Sequence, residues 1–189
     1  MIHYKVVLLG SIHAGKTSII QRFVNGTFSV NTQSSVQAAF FEKQIKIGQS
    51  TVVLDIWDTA GQERFHSLAP MYYRDANASL IVFDVTDANS FSKAKQWLNE
   101  VRASIGSNII LMLIGNKHDL KSIRVVRTEE AATYAESAGV HYMETSAKTD
   151  FQVEEAFDNI TKLILESSIG SQPISELQPS TENKKSKCC

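Results

Sequence analysis

The chain has little of what marks secreted or membrane-spanning proteins. Its 189 residues include three prolines and two cysteines, and both cysteines stand at the very end. Two adjacent terminal thiols exclude the disulfide framework of a small secreted domain. No apolar run approaches the roughly 18 residues of a membrane span, and residues 1–5 enter a strand rather than a signal peptide. We therefore expect a chain that is made in the cytosol and stays there.

The chain also lacks an excess of charge of either sign. The chain has 19 basic and 20 acidic side chains and a net charge of −1, which argues against a nucleic-acid partner, since that would favour a basic stripe. The segment from Gly26 through Phe41 contains no charged residue at all. With 43% hydrophobic residues, the chain can bury the core of a normal domain.

A phosphate-binding motif is the most informative feature that is present. Gly10 to Thr17 fit GxxxxGKS/T at every fixed position and follow the apolar run Val6–Leu9. In such a loop the backbone N–H groups surround a polyphosphate, Lys16 reaches its β and γ oxygens, and Thr17 binds Mg²⁺. An ordinary glycine-containing turn would need pattern and position to coincide by accident. The predicted contacts are His13, Ala14, Gly15, Lys16, Thr17 and Ser18.

Two later motifs indicate which base is bound. Asn116-Lys117-His118-Asp119 follows the apolar run Ile109–Ile114, and residues 144–148 (ETSAK) end a short strand candidate. A carboxylate that accepts both N1–H and the exocyclic amine selects guanine, and Asp119 is the candidate. Adenine offers no such donor pair, and a site with an unpaired polar group rejects it strongly. NKxD alone would be weak, because polar residues in a turn often only cap a helix.

These motifs, together with DTAGQE at residues 58–63, resemble in order and spacing the Ras-superfamily small GTPases. WDTAGQERF at residues 57–65 and Tyr72-Tyr73-Arg74 are similar to the Rab branch. Residues 65–74 resemble its early-endosome subgroup most. The resemblance covers residues 1–166.

The resemblance implies further roles around the phosphates. Asp58 would hold Mg²⁺ through a water, and Ser35 would ligate the metal in the triphosphate state. The Gly61 amide would contact the γ-phosphate, and Gln62 would be the catalytic residue that orients the attacking water.

At the base, Phe28 would pack on guanine, with a loop aromatic tucked into the core as the lesser alternative. Lys117 would lie along the base plane, and Ser146, Ala147 and Lys148 would close over its edge. For effectors, the resemblance implies the hydrophobic trio Phe40, Trp57 and Tyr72, of which Phe40 and Trp57 could instead be buried strand residues.

The sequence departs from the family pattern near the γ-phosphate, at Ile12, His13, Ser35 and Gln37. A β-branched Ile12 could crowd Gln62, and a misplacement of about 1 Å can cost on the order of 10²-fold in rate. Ser35 costs more side-chain entropy to order than Thr does. We therefore expect slow intrinsic hydrolysis and an incompletely populated closed form, with neutral drift as the rival interpretation.

Alternating strand and helix patterns predict the fold. Continuous apolar runs at Val6–Leu9, Leu80–Phe83 and Ile109–Ile114 are typical of strands buried on both faces. Alternation over residues 42–47 predicts an antiparallel edge strand. Helical periods at residues 91–105 and 153–164 predict core-facing stripes. We expect a doubly wound α/β fold, a mostly parallel six-stranded sheet with one antiparallel edge strand, as in a P-loop G domain.

Composition changes after Glu166, which predicts a G domain over residues 1–166 and a flexible tether over residues 167–189. The terminal Cys188 and Cys189 do not fit C-a-a-X, but a double-Cys end is similar to the Rab pattern for two geranylgeranyl groups. Two lipids, helped by nearby lysines, anchor stably where one does not. The alternative is a pair of stray surface thiols.

The expected function is a membrane-anchored switch that binds GTP or GDP with Mg²⁺, hydrolyses GTP slowly and recruits effectors for endosomal vesicle trafficking. Its expected location is the cytoplasmic face of an endosomal membrane, with a soluble cytosolic pool. Because the segment from Gly26 through Phe41 has no arginine, a GTPase-activating protein should donate one. The resemblance also implies an exchange factor, a prenylation escort and a GDP-dissociation inhibitor. A GTP-binding scaffold with negligible hydrolysis remains open, and a phosphotransferring kinase is poorly supported.

Overall fold

A six-stranded sheet organises the chain in a computed structural model that describes residues 1–30, 38–59 and 69–170. The strand order is β2-β3-β1-β4-β5-β6. The strands are β1 (Ile2–Gly10), β2 (Ala39–Ile47), β3 (Ser50–Asp58), β4 (Ala78–Asp84), β5 (Ile110–Asn116) and β6 (His141–Glu144). The β2–β3 pair is antiparallel and the other pairs are parallel. The predicted fold class, including its antiparallel edge strand, is confirmed.

Helices cover both faces of this sheet. They are α1 (Lys16–Asn25), α2 (Ala69–Tyr73), α3 (Ala88–Ile105), α4 (Thr128–Ser137) and α5 (Val153–Gly170), with short 3-10 turns at Gly106–Asn108 and Lys121–Ile123. The predicted tether begins at residue 167, but α5 continues to Gly170, so residues 167–170 are helical. Among the described residues, no helix has the length and hydrophobicity needed to cross a bilayer.

Alternate residues of β1 serve two separate cores. Val6 and Leu8 join a cluster under α1 and α5, while Val7 and Leu9 join a cluster under α3 and α4. All four side chains are fully buried, which contributes about 1.5–3 kcal/mol each. This is why β1 appears in the sequence as a continuous apolar run rather than an alternating one.

The strand order also decides where a ligand can bind. From the central β1 the chain builds outward to β3 on one side and to β4, β5 and β6 on the other. In an open α/β sheet the crevice for a ligand lies outside the carboxyl ends of the strands, at the point where the strand order reverses. The loops after β1, β5 and β6, which carry the three sequence motifs, therefore meet at one edge.

Candidate nucleotide-binding site

A cavity of about 360 Å³ lies where these loops meet, a size typical of small-molecule sites. Most of the predicted nucleotide contacts line it, namely His13, Gly15, Lys16, Thr17, Ser18, Phe28, Asn116, Lys117, Asp119, Ala147 and Lys148. Ala14 and Ser146 do not line the cavity, and both are fully buried. Ser29, Val30, Thr59 and Leu120 also line it. Thr59 belongs to the DTAGQE motif but had no predicted role, and no motif singled out the other three.

The phosphate loop, residues 10–17, depends on its two glycines. Gly10 has φ 139°, and a Cβ there would lie 2.1 Å from the carbonyl oxygen of Val82. Gly15 has φ 93°, and its Cβ would lie 2.3 Å from Nδ2 of Asn116. Neither position tolerates a side chain, so the motif's glycines are fixed by close packing as well as by backbone conformation.

Lys16 is a buried cation at the floor of this loop. Its ammonium donates hydrogen bonds to the carbonyl oxygens of Gly10 and Ser11, each at 3.0 Å. Burial lowers the pKa of Lys16 to about 8, and the Asp58 carboxylate opposes part of that shift. The buried Ser11 hydroxyl beside it has no hydrogen-bond partner among the described residues. A desolvated cation and an unsatisfied hydroxyl in a glycine-lined loop fit an anionic ligand such as a polyphosphate.

Thr17 and Asp58 bring oxygen donors together at the end of the phosphate loop. The Thr17 hydroxyl donates to Oδ2 of the fully buried Asp58 at 2.6 Å. The neighbouring Thr59 hydroxyl donates to the Leu8 carbonyl at 2.6 Å, which fixes the end of β3 against β1. A hydroxyl and a carboxylate are hard oxygen ligands, so this pair fits Mg²⁺.

Asn116 joins the phosphate loop to both base loops. We define the first base loop as residues 116–119 and the second as residues 144–148. Asn116 Nδ2 donates to the Ala14 carbonyl at 2.9 Å. Its Oδ1 accepts from the Thr145 hydroxyl at 3.2 Å and from the Ala147 amide at 3.4 Å. One buried amide therefore sets the distance between the phosphate end and the base end of the cavity.

Asp119 and Lys117 are each held by a side chain. The Ser146 hydroxyl donates to Asp119 Oδ1 at 2.6 Å, so the carboxylate keeps its second oxygen for a ligand in the cavity. The Lys117 ammonium lies 2.6 Å from Oδ2 of Asp84, at the end of β4. The first base loop therefore presents an oriented carboxylate beside a long side chain that is fixed at its tip.

The comparisons with known proteins agree with this geometry. Residues 5–166 match the model of the Ras family. The chain belongs to the Ras family. It is 49% identical to Ras-related protein Rab5A of Oryza sativa subsp. japonica over 162 residues, which cover 86% of this chain and 80% of the relative. It is 50% identical to Ras-related protein RABF2b of Arabidopsis thaliana over 161 residues, 85% of this chain and 80% of that one.

A mammalian relative, Ras-related protein Rab-21 of Mus musculus, is 47% identical over 163 residues, 86% of this chain and 73% of the relative. These relatives confirm the resemblance to the early-endosome Rab subgroup. As a Ras-family protein the chain is a GTPase and binds guanine nucleotide as a molecular switch.

Sequence reasoning missed several residues that support this GTPase site. Asp84 holds Lys117. Arg22, on α1, donates from Nε to the Ala147 carbonyl at 2.8 Å and from Nη2 to the Lys148 carbonyl at 3.2 Å. Both contacts join residues that are far apart in the chain, so no local pattern could have indicated them.

Glu144 is the most heavily bonded of the supporting residues. Burial by itself would raise the pKa of its carboxyl, but hydrogen bonds from Arg124, His118, Tyr142 and Thr128 lower it to about 2. Arg124 makes a two-pronged contact with it, at 2.8 and 2.6 Å. Burial raises the pKa of Tyr142, and the hydrogen bond to the Glu144 carboxylate raises it further. Glu144 is therefore a structural anion behind the second base loop.

The hydrophobic trio is brought together on an exposed face of the GTPase. The Phe40 and Trp57 rings meet edge-on at 5.4 Å, and the Trp57 and Tyr72 rings lie 5.9 Å apart. Phe40 keeps 51% of its surface exposed, so it is not a core strand residue. Phe28 lines the cavity and also packs against the core cluster under α1, which leaves both of its predicted roles compatible.

Several predicted site residues lie outside the described residues. They are Ser35, Gly61, Gln62, Cys188 and Cys189. Their roles rest on the sequence resemblance and stay predictions.

Proposed function

We propose that this Ras-family GTPase is a membrane-anchored switch in endosomal vesicle trafficking, which binds GTP or GDP with Mg²⁺ and recruits effectors when GTP is bound. The observation that carries the proposal is the hydrogen bond from Asn116 to Ala14, because it unites the phosphate loop and the base loops around one cavity. Neither half would define a nucleotide alone: the phosphate loop selects no base, and the base loops bind no phosphate.

Guanine selection falls to Asp119. Its oriented carboxylate would accept N1–H and the exocyclic amine of guanine, as the sequence predicts. The Ser146 hydroxyl, 2.6 Å from Oδ1, supports this role because it limits rotation of the carboxylate. An adenine nucleotide would leave the carboxylate unpaired in a partly buried site, which is costly.

Thr17 and Asp58 would hold Mg²⁺, Asp58 through a water, with Ser35 joining in the triphosphate state. When bound, Mg²⁺ neutralises charge on the phosphate oxygens during transfer. Lys16 binds the β and γ oxygens from its buried position, and His13, Gly15 and Ser18 contribute at the wall of the loop. Gly61 would contact the γ-phosphate, and Gln62 would orient the attacking water.

Slow hydrolysis is supported by the position of Ile12, which lines the cavity and is 36% exposed. A branched side chain at this position would compete for space with the attacking water that Gln62 is predicted to orient. In single-turnover assays of the GTP-loaded protein, Ile12→Ala should raise the hydrolysis rate by about 10-fold. Ile123→Ala, at an isoleucine that is 59% exposed and does not line the cavity, is the matched control.

A GTP-binding scaffold with negligible turnover is the second candidate, favoured by the same Ile12. No measurable hydrolysis with a cognate activating protein would establish it in place of the switch. Ser35 adds a further test: with a non-hydrolysable GTP analogue, phosphorus NMR should show two γ resonances in the wild type and one in Ser35→Thr. A single sharp resonance at the closed position in the wild type would contradict the incompletely closed form.

Effector docking would use the exposed Phe40 together with Trp57 and Tyr72, which are partly buried and whose rings meet in sequence. Because the adjoining segment from Gly26 through Phe41 has no charge, the on-rate should change little with salt. A steep fall between low and physiological salt would contradict this. An exchange factor, an arginine-donating GTPase-activating protein, a prenylation escort and a GDP-dissociation inhibitor complete the proposed partners.

Membrane attachment would use geranylgeranyl groups on Cys188 and Cys189, beside Lys184, Lys185 and Lys187. Intact mass after expression in a eukaryotic host should show two prenyl groups in the wild type and none in the double substitution Cys188→Ser with Cys189→Ser. Unmodified wild-type protein would support stray thiols instead. Imaging of both proteins would test the endosomal location.

The nucleotide itself tests the central proposal. Nucleotide released from the purified protein should be guanine species only, converting from GTP to GDP with time after loading. ATP retained as readily as GTP, or no nucleotide retained in the presence of Mg²⁺, would overturn it.

A further inference from the structure

We propose that His118 and Phe151 are positioning residues, which hold the Asp119 carboxylate in the orientation that selects guanine. The inference rests on the proposed role of Asp119 and adds the side chains that fix it. The NKxD pattern leaves the residue before Asp119 unspecified, and Phe151 lies beyond the second base loop.

The two residues complete a closed cycle of contacts that includes Asp119. The His118 ring stacks on the Phe151 ring, with centroids 4.3 Å apart and planes 16° from parallel. Phe151 is joined to Ser146 by paired backbone hydrogen bonds of 2.9 and 3.1 Å. Ser146 in turn donates to Asp119, the chain neighbour of His118. The path from His118 through Phe151 and Ser146 returns to Asp119, so that the stacked rings and the hydrogen bond to Asp119 support one another.

Glu144 holds His118 in place within this cycle of contacts. His118 Nδ1 lies 2.6 Å from Oε2 of Glu144 and 3.3 Å from Nη2 of Arg124. Because an ionised carboxylate only accepts hydrogen bonds, Nδ1 carries the proton and donates to Glu144. The His118 amide also donates to the Thr145 carbonyl at 3.0 Å. The imidazole is therefore held by a buried anion on one side and an aromatic face on another.

The backbone around both rings is strained in a way that serves this contact. Lys117, next to His118, has φ 67°, and Asp150 and Gln152, which flank Phe151, have φ 63° and 52°. Non-glycine residues occupy this left-handed region at a cost, and they do so where the surrounding structure over-determines the conformation. Here the strained residues are the neighbours of the two stacked rings.

Breaking this cycle of contacts should weaken recognition of the base while the phosphate contacts remain. We would measure GDP dissociation from the full-length chain with Mg²⁺, using a fluorescent GDP analogue chased with GDP. Inosine diphosphate, which lacks the exocyclic amine, would compete in parallel to report base selectivity. The variants are His118→Ala, His118→Asn, Phe151→Leu and the double substitution His118→Ala with Phe151→Leu. His141→Ala, at an exposed histidine that starts β6, is the matched control.

We expect His118→Ala to speed GDP release about 10-fold and to reduce the preference for GDP over inosine diphosphate several-fold. His118→Asn, whose amide nitrogen can replace Nδ1 as donor, should recover part of both. Phe151→Leu should resemble His118→Ala. The double variant should release GDP no faster than the stronger single variant, because either substitution alone already breaks the cycle of contacts. His141→Ala should match the wild type.

The thermal unfolding temperature of each variant would also be measured with saturating GDP. A rise in release rate with an unchanged GDP preference and a lower unfolding temperature would assign only a structural role and overturn the inference. Release rates within twofold of the wild type would also overturn it. Failure of the proposed function is distinct: the wild type itself would then show no preference for GDP over ADP.

Discussion

The phosphate loop and the base loops each hold one part of a nucleotide, but Lys16 and Ser11 of the phosphate loop are bonded differently from the side chains of the base loops. In the phosphate loop, Lys16 donates to two backbone carbonyls of its own loop, and the buried Ser11 hydroxyl has no partner among the described residues. In the base loops, side chains from distant parts of the chain bond one another, as Ser146 does with Asp119 and Arg124 with Glu144.

The difference reflects what each half has to recognise. A polyphosphate is highly charged, so a few desolvated donors bind it strongly even though the protein leaves them poorly satisfied. A base is neutral and is distinguished by where its donors point, so its partners must be fixed in advance. The comparison predicts that disruption of the base side should change selectivity, whereas disruption of the phosphate side should change affinity for any nucleotide.

The largest expected effect is on base choice. Asp119→Asn replaces an acceptor of two hydrogen bonds with a group that also donates, so affinity for GDP should fall by about 10³-fold. Affinity for xanthosine diphosphate, which carries a carbonyl in place of the amine, should rise. Competition binding with both nucleotides is the measurement. An equal loss for both would show that the base loops do not discriminate as proposed.

The anion behind the base loops gives the next largest effect. The pKa of Glu144 is about 2 in the folded protein and 4.5 in the ordinary carboxyl, so the group contributes about 3 kcal/mol of stability above pH 4.5. That contribution is lost as pH falls from 4.5 towards 2. Glu144→Gln should lower the free energy of unfolding by about this amount at pH 7, and less near pH 3.

Denaturant unfolding at several pH values measures this difference. Glu136→Gln, at an exposed glutamate on α4, is the control and should change stability little at any pH. A Glu144→Gln difference that stays constant from pH 7 to pH 3 would show that the carboxylate is not the source of the stabilisation.

A single methyl group added at Gly15 should disrupt the junction between the phosphate loop and the first base loop. In Gly15→Ala the added Cβ meets Nδ2 of Asn116 at 2.3 Å, so the bond from Asn116 to Ala14 must break. Together with the left-handed backbone, this should cost about 2–3 kcal/mol, a fall in GDP affinity of about 10²-fold. Gly139 also has a positive φ, 62°, but open space surrounds it, so Gly139→Ala should leave GDP affinity unchanged. Equal affinities in both variants would exclude the proposed junction.

The smallest effect tests the poorly satisfied phosphate side. Ser11→Ala removes a buried hydroxyl without a partner among the described residues, so the nucleotide-free protein should gain about 1 kcal/mol in unfolding free energy. Ser79→Ala is the control, since that buried hydroxyl donates to the Val7 carbonyl at 3.1 Å and its loss should destabilise. Destabilisation by Ser11→Ala would contradict the prediction, because it would mean that the Ser11 hydroxyl is stabilised in the folded protein.

Much of this protein was predictable because its signals are local. The apolar run at Val6–Leu9 predicts a buried strand, and the spacing from Gly10 to Thr17 predicts a loop that binds phosphate, since both follow from neighbouring residues. The NKxD pattern likewise predicts Asp119. The helical conformation of residues 167–170 was not predicted, because the polar composition after Glu166 does not indicate that α5 continues.

What the sequence by itself determined is the chemistry: a phosphate loop, a carboxylate for guanine and a sheet of buried strands, each written in residues that are adjacent or periodic. Only the tertiary structure decided how these parts are joined. The bond from Asn116 to Ala14 spans 102 positions, and that from Arg22 to Ala147 spans 125. Such contacts exist because parallel strands bring their carboxyl ends to one edge, and no pattern along the chain records which loops will meet there.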